Sequence, residues 1–214
     1  MLIGHLTAFV YDYVLHRYTK AGVLIIKYFD FNLENNFPTW FSVLILFVAA
    51  MLLFIIYSHK KKLQSKDAFY WLLLSLIFVF LSADESVQIH ETIAEILMPK
   101  LGSDLNGFLY WAWVVPYGLF VLIGGLYFLR FVLRLPAMTR KLFIVAGIIF
   151  ITGAFLMEFP EGYFYKIYGL NHIYNRILYC LEELFEMSAV SLFIYALLDY
   201  MALHKIKLTI DIDK

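Results

Sequence analysis

FSVLILFVAAMLLFIIYS, residues 41–58, runs without a single charged side chain. As an α-helix at 1.5 Å per residue it reaches roughly 27 Å, close to the hydrocarbon thickness of a bilayer. Three further stretches have the same character: Ala68 to Ala83, Phe108 to Leu129 and Leu142 to Met157. A fifth, from about Tyr174 to Leu203, is interrupted by Glu182, Glu183 and Glu186 and then recovers as MSAVSLFIYALL. The whole chain is 63% hydrophobic and 16% charged with mean hydropathy +0.77, outside the range of soluble domains. The expectation is an all-α integral membrane protein, a bundle of five transmembrane helices.

Residues 1 to 30 read differently. Leu2, Leu6, Phe9, Val10, Tyr13 and Val14 recur at helical spacing, while Asp12, His16, Arg17 and Lys20 break any long apolar run. That pattern predicts an N-terminal amphipathic helix lying in the membrane interface; if it crosses instead, the bundle has six spans. The segment lacks the charged start and cleavage site of a signal peptide. The expected organisation is an interfacial helix and loop over residues 1–38, a transmembrane domain over 39–203 and a short polar tail over 204–214. The second span continues as DESVQIHETIAEIL with neither Gly nor Pro, which predicts a helix projecting past the bilayer as far as Met98, just before Pro99.

Basic residues gather in two loops, Lys60, Lys61, Lys62 and Lys66 in SHKKKLQSKD, and Arg130, Arg134, Arg140 and Lys141 between the third and fourth spans. Both loops are therefore expected in the cytoplasm, with the amino terminus outside and the carboxyl terminus inside a bacterial inner membrane. With those cations assigned to the membrane boundary, no basic face is left for a nucleic acid. The single cysteine, Cys180, excludes an internal disulfide and a CxxC metal site. GxSxG, Walker A and HExxH are all absent, so serine hydrolase, P-loop and zincin chemistry have no support.

The acids carry the functional signal, because a carboxylate near bilayer depth is costly unless it faces protein, water or a metal. Three groups fall at matched depth on the side opposite the basic loops: Asp84, Glu85, Glu91 and Glu95; Glu158 and Glu161; Glu182, Glu183 and Glu186. At 100° per residue, Asp84, Gln88, Glu91 and Glu95 share one stripe, with His90 on its far flank, and Asn175, Tyr179, Glu182 and Glu186 share another. Glu182 and Glu186 are i,i+4 neighbours and repel unless protonated or bridged by a cation. Pro160, between Glu158 and Glu161, predicts an unwound turn with free carbonyls. The expected site is a divalent cation held by Asp84, Glu158, Glu182 and Glu186, joined by Glu91 and His90, with Glu85, Gln88, Glu183, Tyr179, Asn175 and Arg176 around it. So oxygen-rich a set favours magnesium, calcium, manganese or iron over zinc. The competing expectation for Glu85, Glu95 and Glu161 is a solvated surface, with Arg176 paired to Glu183 and Lys166 to Glu161. Gly124 and Gly125 are expected as helix-packing contacts, and Trp111 and Trp113 as an interfacial belt.

LSADESVQIHE and LEELFEMSAVSLFIYALL, with WAWVVPYG and GAFLMEFPEG between them, resemble a group of small bacterial multi-pass membrane proteins of unassigned function. The likeness covers roughly residues 40 to 203 and rests on Asp84, Glu85, His90, Glu91, Glu158, Glu182, Glu183 and Glu186. It supports that choice of residues and implies no reaction. The leading functional expectation is an outward-facing carboxylate and histidine cluster that binds a divalent cation or exchanges protons, in a small transporter or sensor component. A membrane-embedded metal-dependent enzyme acting on a lipid or apolar substrate is the alternative, and a scaffold subunit of a membrane complex is a third. The expected partner is the bilayer itself, with a second copy of the chain or another membrane protein also open.

Overall fold

Hydrophobic periodicity resolves into helices α1 (Leu2–Phe9), α2 (Lys20–Phe29), α3 (Phe37–Lys62), α4 (Ala68–Val87), α5 (Val114–Arg134), α6 (Ala137–Ile151), α7 (Glu158–Tyr168) and α8 (Ile173–Leu203), with a π-helical turn over Thr152–Leu156. The computed structural model describes residues 2–10, 20–31, 33, 35–90, 92–93, 95–96, 114–169 and 172–207, and contains no strand among them. Four stretches are long and apolar enough to cross a membrane: α3, α4, α5 and the continuous run Ala137–Tyr168. Helix α8 has spanning length at 31 residues, with its glutamates in the half away from the basic loops.

Helix α3 starts where Asn36 Oδ1 accepts the Thr39 N–H at 3.1 Å and Pro38 occupies the first turn, both standard entry signals. It ends at His59, Lys60, Lys61 and Lys62, cations that suit the negative end of the helix dipole. Small residues let α4 lie close against it: Ala49 and Ala50 are buried, Ser75 Oγ donates to Ala50 O at 2.9 Å and Ser82 Oγ donates to Val43 O at 3.0 Å. Such bonds matter where no water competes. Near the basic loops the fully buried Trp71 meets the rings of Phe131, Phe143 and Tyr200 at 5.1, 6.0 and 4.8 Å. One indole thereby joins α4 to α5, α6 and α8 through aromatic contacts. Along its length α5 buries only Val114 and Phe131.

Two expectations change here. The second span does not continue as one helix to Met98: it ends at Val87, and Gln88 adopts a left-handed conformation with φ 57° and ψ 47°. Residues 97 and 98 themselves lie outside the described residues. The amino-terminal segment is not one helix either, since α1 and α2 are separate and packed together, with Gly4 against the Phe29 ring. Asp12, Tyr13, Val14, His16 and Arg17 lie outside the described residues.

A buried polar clasp fastens these amino-terminal helices to α8. The Phe31 N–H donates to His5 Nδ1 at 3.0 Å, and the His5 ring stacks on Phe31 at 4.4 Å. Asp30 Oδ1 lies 3.6 Å from the same nitrogen, and Arg176 Nη1 lies 3.9 Å from Asp30 Oδ2. Burial pushes the His5 imidazole down from its ordinary range, with Asp30 pulling the other way and Arg176 adding to the downward shift. Folding thus selects the neutral ring, whose Nδ1 lone pair accepts the bond. A histidine depressed in the folded state stabilises fully above its unfolded pKa of about 6.5, and that contribution is lost as pH falls below it. The detergent-solubilised protein is therefore expected to lose thermal stability on acidification below about pH 6.5 by more than His5→Gln does. Parallel melting curves across pH 5 to 8 check this; coincident acid-side slopes would remove His5 from the account.

Candidate functional site

Asp84 is buried at the end of α4, where a carboxylate needs donors to replace lost water. The break at Gln88 supplies them. Turning the chain there brings the His90 N–H to Asp84 Oδ1 at 2.9 Å and His90 Nδ1 to Asp84 Oδ2 at 3.2 Å, while the Tyr117 hydroxyl donates to Oδ1 at 3.4 Å. A left-handed non-glycine residue costs about 1–2 kcal/mol, and each hydrogen bond to a charged group returns about 1.5–3 kcal/mol. The bonds to the carboxylate therefore outweigh the cost of the left-handed Gln88. His90, expected on the far flank of a continuous helix, instead folds back onto Asp84. In the tautomer that carries the proton on Nδ1, the ring donates to Asp84 and Nε2 is the basic nitrogen.

Glu158 and Glu161 reach the same region through a different irregularity. Pro160 has no N–H for the carbonyl of Leu156 and its ring crowds that carbonyl. The turn ahead of it widens rather than unwinds, with the Met157 N–H bonded five residues back to Thr152 O at 3.1 Å. The extra residue in this turn rotates everything after it by about 100°. Gly153, in the same turn, permits contact with α8 so close that an added Cβ would lie 2.9 Å from the Glu182 carbonyl oxygen.

These two features bring one carboxylate oxygen from each of Glu158, Glu161 and Glu182 within 4.8 Å of one another. Glu161 is 1% exposed, and among the described residues no donor reaches its Oε1. At about 5 Å and an effective dielectric near 20, each carboxylate pair repels by about 3 kcal/mol, so three ionised groups approach 10 kcal/mol. That rivals the whole stability of a domain. The trio is therefore a place that requires a proton or a cation. Tyr179 stands within its electrostatic reach.

Glu158 and Glu182 also border a cavity of about 380 Å³ enclosed chiefly by α4, α5, α6 and α8. Asp84, Glu85, His90, Tyr117 and Glu186 line the same end of it, while every other lining residue among those described is apolar or glycine. Glu91 lies outside the described residues. Gln88 forms the break itself. Glu183 is half-buried on α8 and interacts electrostatically with Glu186. Asn175 does not face the cavity: its Nδ2 donates to Gly169 O at 3.0 Å, fastening the α7–α8 turn, where Gly169 takes φ 79°. Arg176 turns to Asp30. Glu95 is exposed.

The solvated-surface expectation for Glu161 is thus corrected. Its spacing of three from Glu158 puts both on one helical face, a signal masked by the assumption that Pro160 unwinds the chain between them. The packing role expected of Gly124 and Gly125 is corrected too, because a Cβ at either position meets nothing described within 4 Å, and Gly124 lines the cavity. The Asp30–His5 clasp gave no sequence signal beyond a lone acid and a lone histidine.

A family described as a domain of unknown function (DUF8692) matches residues 2–201. The chain belongs to that family. The match starts ahead of α3, so the clasp-bearing amino-terminal helices lie within the family's span, whereas the motif resemblance begins near residue 40. No curated protein and no solved structure matches the chain.

Proposed function

We propose that this is a five-span membrane protein of the bacterial inner membrane that binds a divalent cation at Glu158, Glu161 and Glu182 in the outer half of the bilayer and releases protons as it does so. The observation that carries the reading is Glu161, a buried carboxylate facing two others with no protein donor at Oε1. Metal ligands must be deprotonated, so cation and proton compete for the same oxygens. Oxygens on opposite sides of one calcium ion lie about 4.6–5.2 Å apart, against about 4.0–4.2 Å for magnesium. A trio whose separations all fall within 4.8 Å is compact enough for one such ion. Glu186 and the Asp84–His90 pair line the same cavity and would orient water or substrate there.

The inner end of the cavity, at Val132, Phe143 and Phe193, carries no charged group among the described residues. That favours a binding, sensing or catalytic site over a conduction path. Elemental analysis of the purified protein before and after chelation tests the proposal: a stoichiometric, chelator-removable divalent ion is expected, and its consistent absence would sink the reading.

The outside location rests on the eight basic residues of the two opposite loops. An alkaline phosphatase fusion is expected to be inactive at Lys62 and active after Tyr168. The reverse pattern would place the cluster on the cytoplasmic side.

A further inference from the structure

The cavity has one polar end and a long apolar body. From Glu182 to Phe193 along α8 it runs roughly 16 Å, and from Glu158 back to Phe143 along α6 roughly 22 Å, at 1.5 Å per residue. Half of a hydrocarbon core is about 15 Å, so the apolar body has the depth of one leaflet. A cavity of about 380 Å³ drawn out over roughly 20 Å has an elongated shape that suits an extended chain of carbons. Phe80 on α4 and Phe120 on α5 line the cavity and are both exposed.

We infer that this cavity holds one linear acyl chain of a lipid with an uncharged oxygen head group, an ester or hydroxyl, placed against the cation at Glu158, Glu161 and Glu182; the head-group half of this inference rests on the cation reading above. An uncharged head fits because the three carboxylates of Glu158, Glu161 and Glu182 already exceed the charge of a divalent ion, and an anionic head would meet that excess. The acyl chain lies against Phe78, Phe128, Val132 and Val190 of the lining, and dispersion attraction accumulates carbon by carbon along its length.

The test uses the full chain in detergent with a monoacylglycerol bearing a diazirine on its acyl chain. Photolabelling is expected at Val190 or Phe193, and unlabelled monoacylglycerol should compete it away. Gly124 and Gly147 both line the cavity with nothing described within 4 Å of an added Cβ, so Gly124→Leu and Gly147→Leu fill the slot from two different helices, α5 and α6. Each should reduce labelling by at least about tenfold, because an occluded packed site rejects its ligand. Gly125→Leu, next in sequence but outside the lining, should leave labelling unchanged. Metal content is measured on the same samples. Loss of labelling with metal retained supports the inference, whereas labelling that survives both leucines overturns it and leaves the cation reading intact. A metal-free unaltered protein overturns the cation reading whatever the probe does. Should a leucine variant fail to fold, labelling of Phe193 in the unaltered chain that excess monoacylglycerol does not reduce overturns the inference by itself.

Discussion

Replacing Glu161 by glutamine is expected to abolish the metal-dependent part of the protein's thermal stability. The side chain is 1% exposed and faces Glu158 and Glu182, so glutamine keeps its volume and removes its charge. A cation present at 100 times its dissociation constant stabilises by about 2.7 kcal/mol. For a chain of this size that amounts to a melting-temperature shift of about 5–10 °C. Chelation should therefore lower the melting temperature of the unaltered protein and leave Glu161→Gln where it was. Glu95→Gln is the contrast, since Glu95 is exposed and exposed substitutions stay within about 0.5 kcal/mol. If the trio shares only a proton, the same glutamine relieves like-charge repulsion. It would then melt at or above the unaltered protein, which would itself ignore the chelator, and the cation reading would fail.

Gly153→Ala is expected to destabilise the protein by about 1–3 kcal/mol, the usual range for overpacking. The new methyl would meet Glu182 O at 2.9 Å, Phe185 Cβ at 3.0 Å and Glu186 Cγ at 3.2 Å. The first of these is backbone of α8 and cannot swing aside, so the helices must part. Parting them withdraws Glu182 from Glu158 and Glu161, and metal affinity should fall together with stability. Gly147→Ala, one and a half turns earlier with nothing described within 4 Å, should have the opposite sign. Alanine gains about 0.5–1 kcal/mol over glycine inside a helix. Melting curves of the two variants decide the matter: equal stability would mean that the contact between the π-helical turn and α8 is not tight in the folded protein.

Gln88, Pro160 and Glu161 mark where sequence reading ran out. Nothing in DESVQIHETIAEIL disfavours a helix, yet the buried Asp84 carboxylate draws the chain back through His90. Pro160 signalled an irregularity, and the pattern of residues did not say that it would appear one turn earlier as a widened turn at Thr152–Leu156. Glu161 looked like a solvated acid because its burial depends on how far that turn rotates the following helix.

The sequence by itself determined the all-helical membrane class and four apolar spans, since helix length and hydrophobicity are local quantities that a bilayer reads without help from distant residues. It also located the acids at one end of the bundle, because depth along a helix follows from counting residues. Only the tertiary structure decided which acids meet. That choice turns on rotation about helix axes and on distances between them, which are set here by a left-handed glutamine, a π-helical turn and the missing side chain of Gly153, through contacts between residues far apart in the chain.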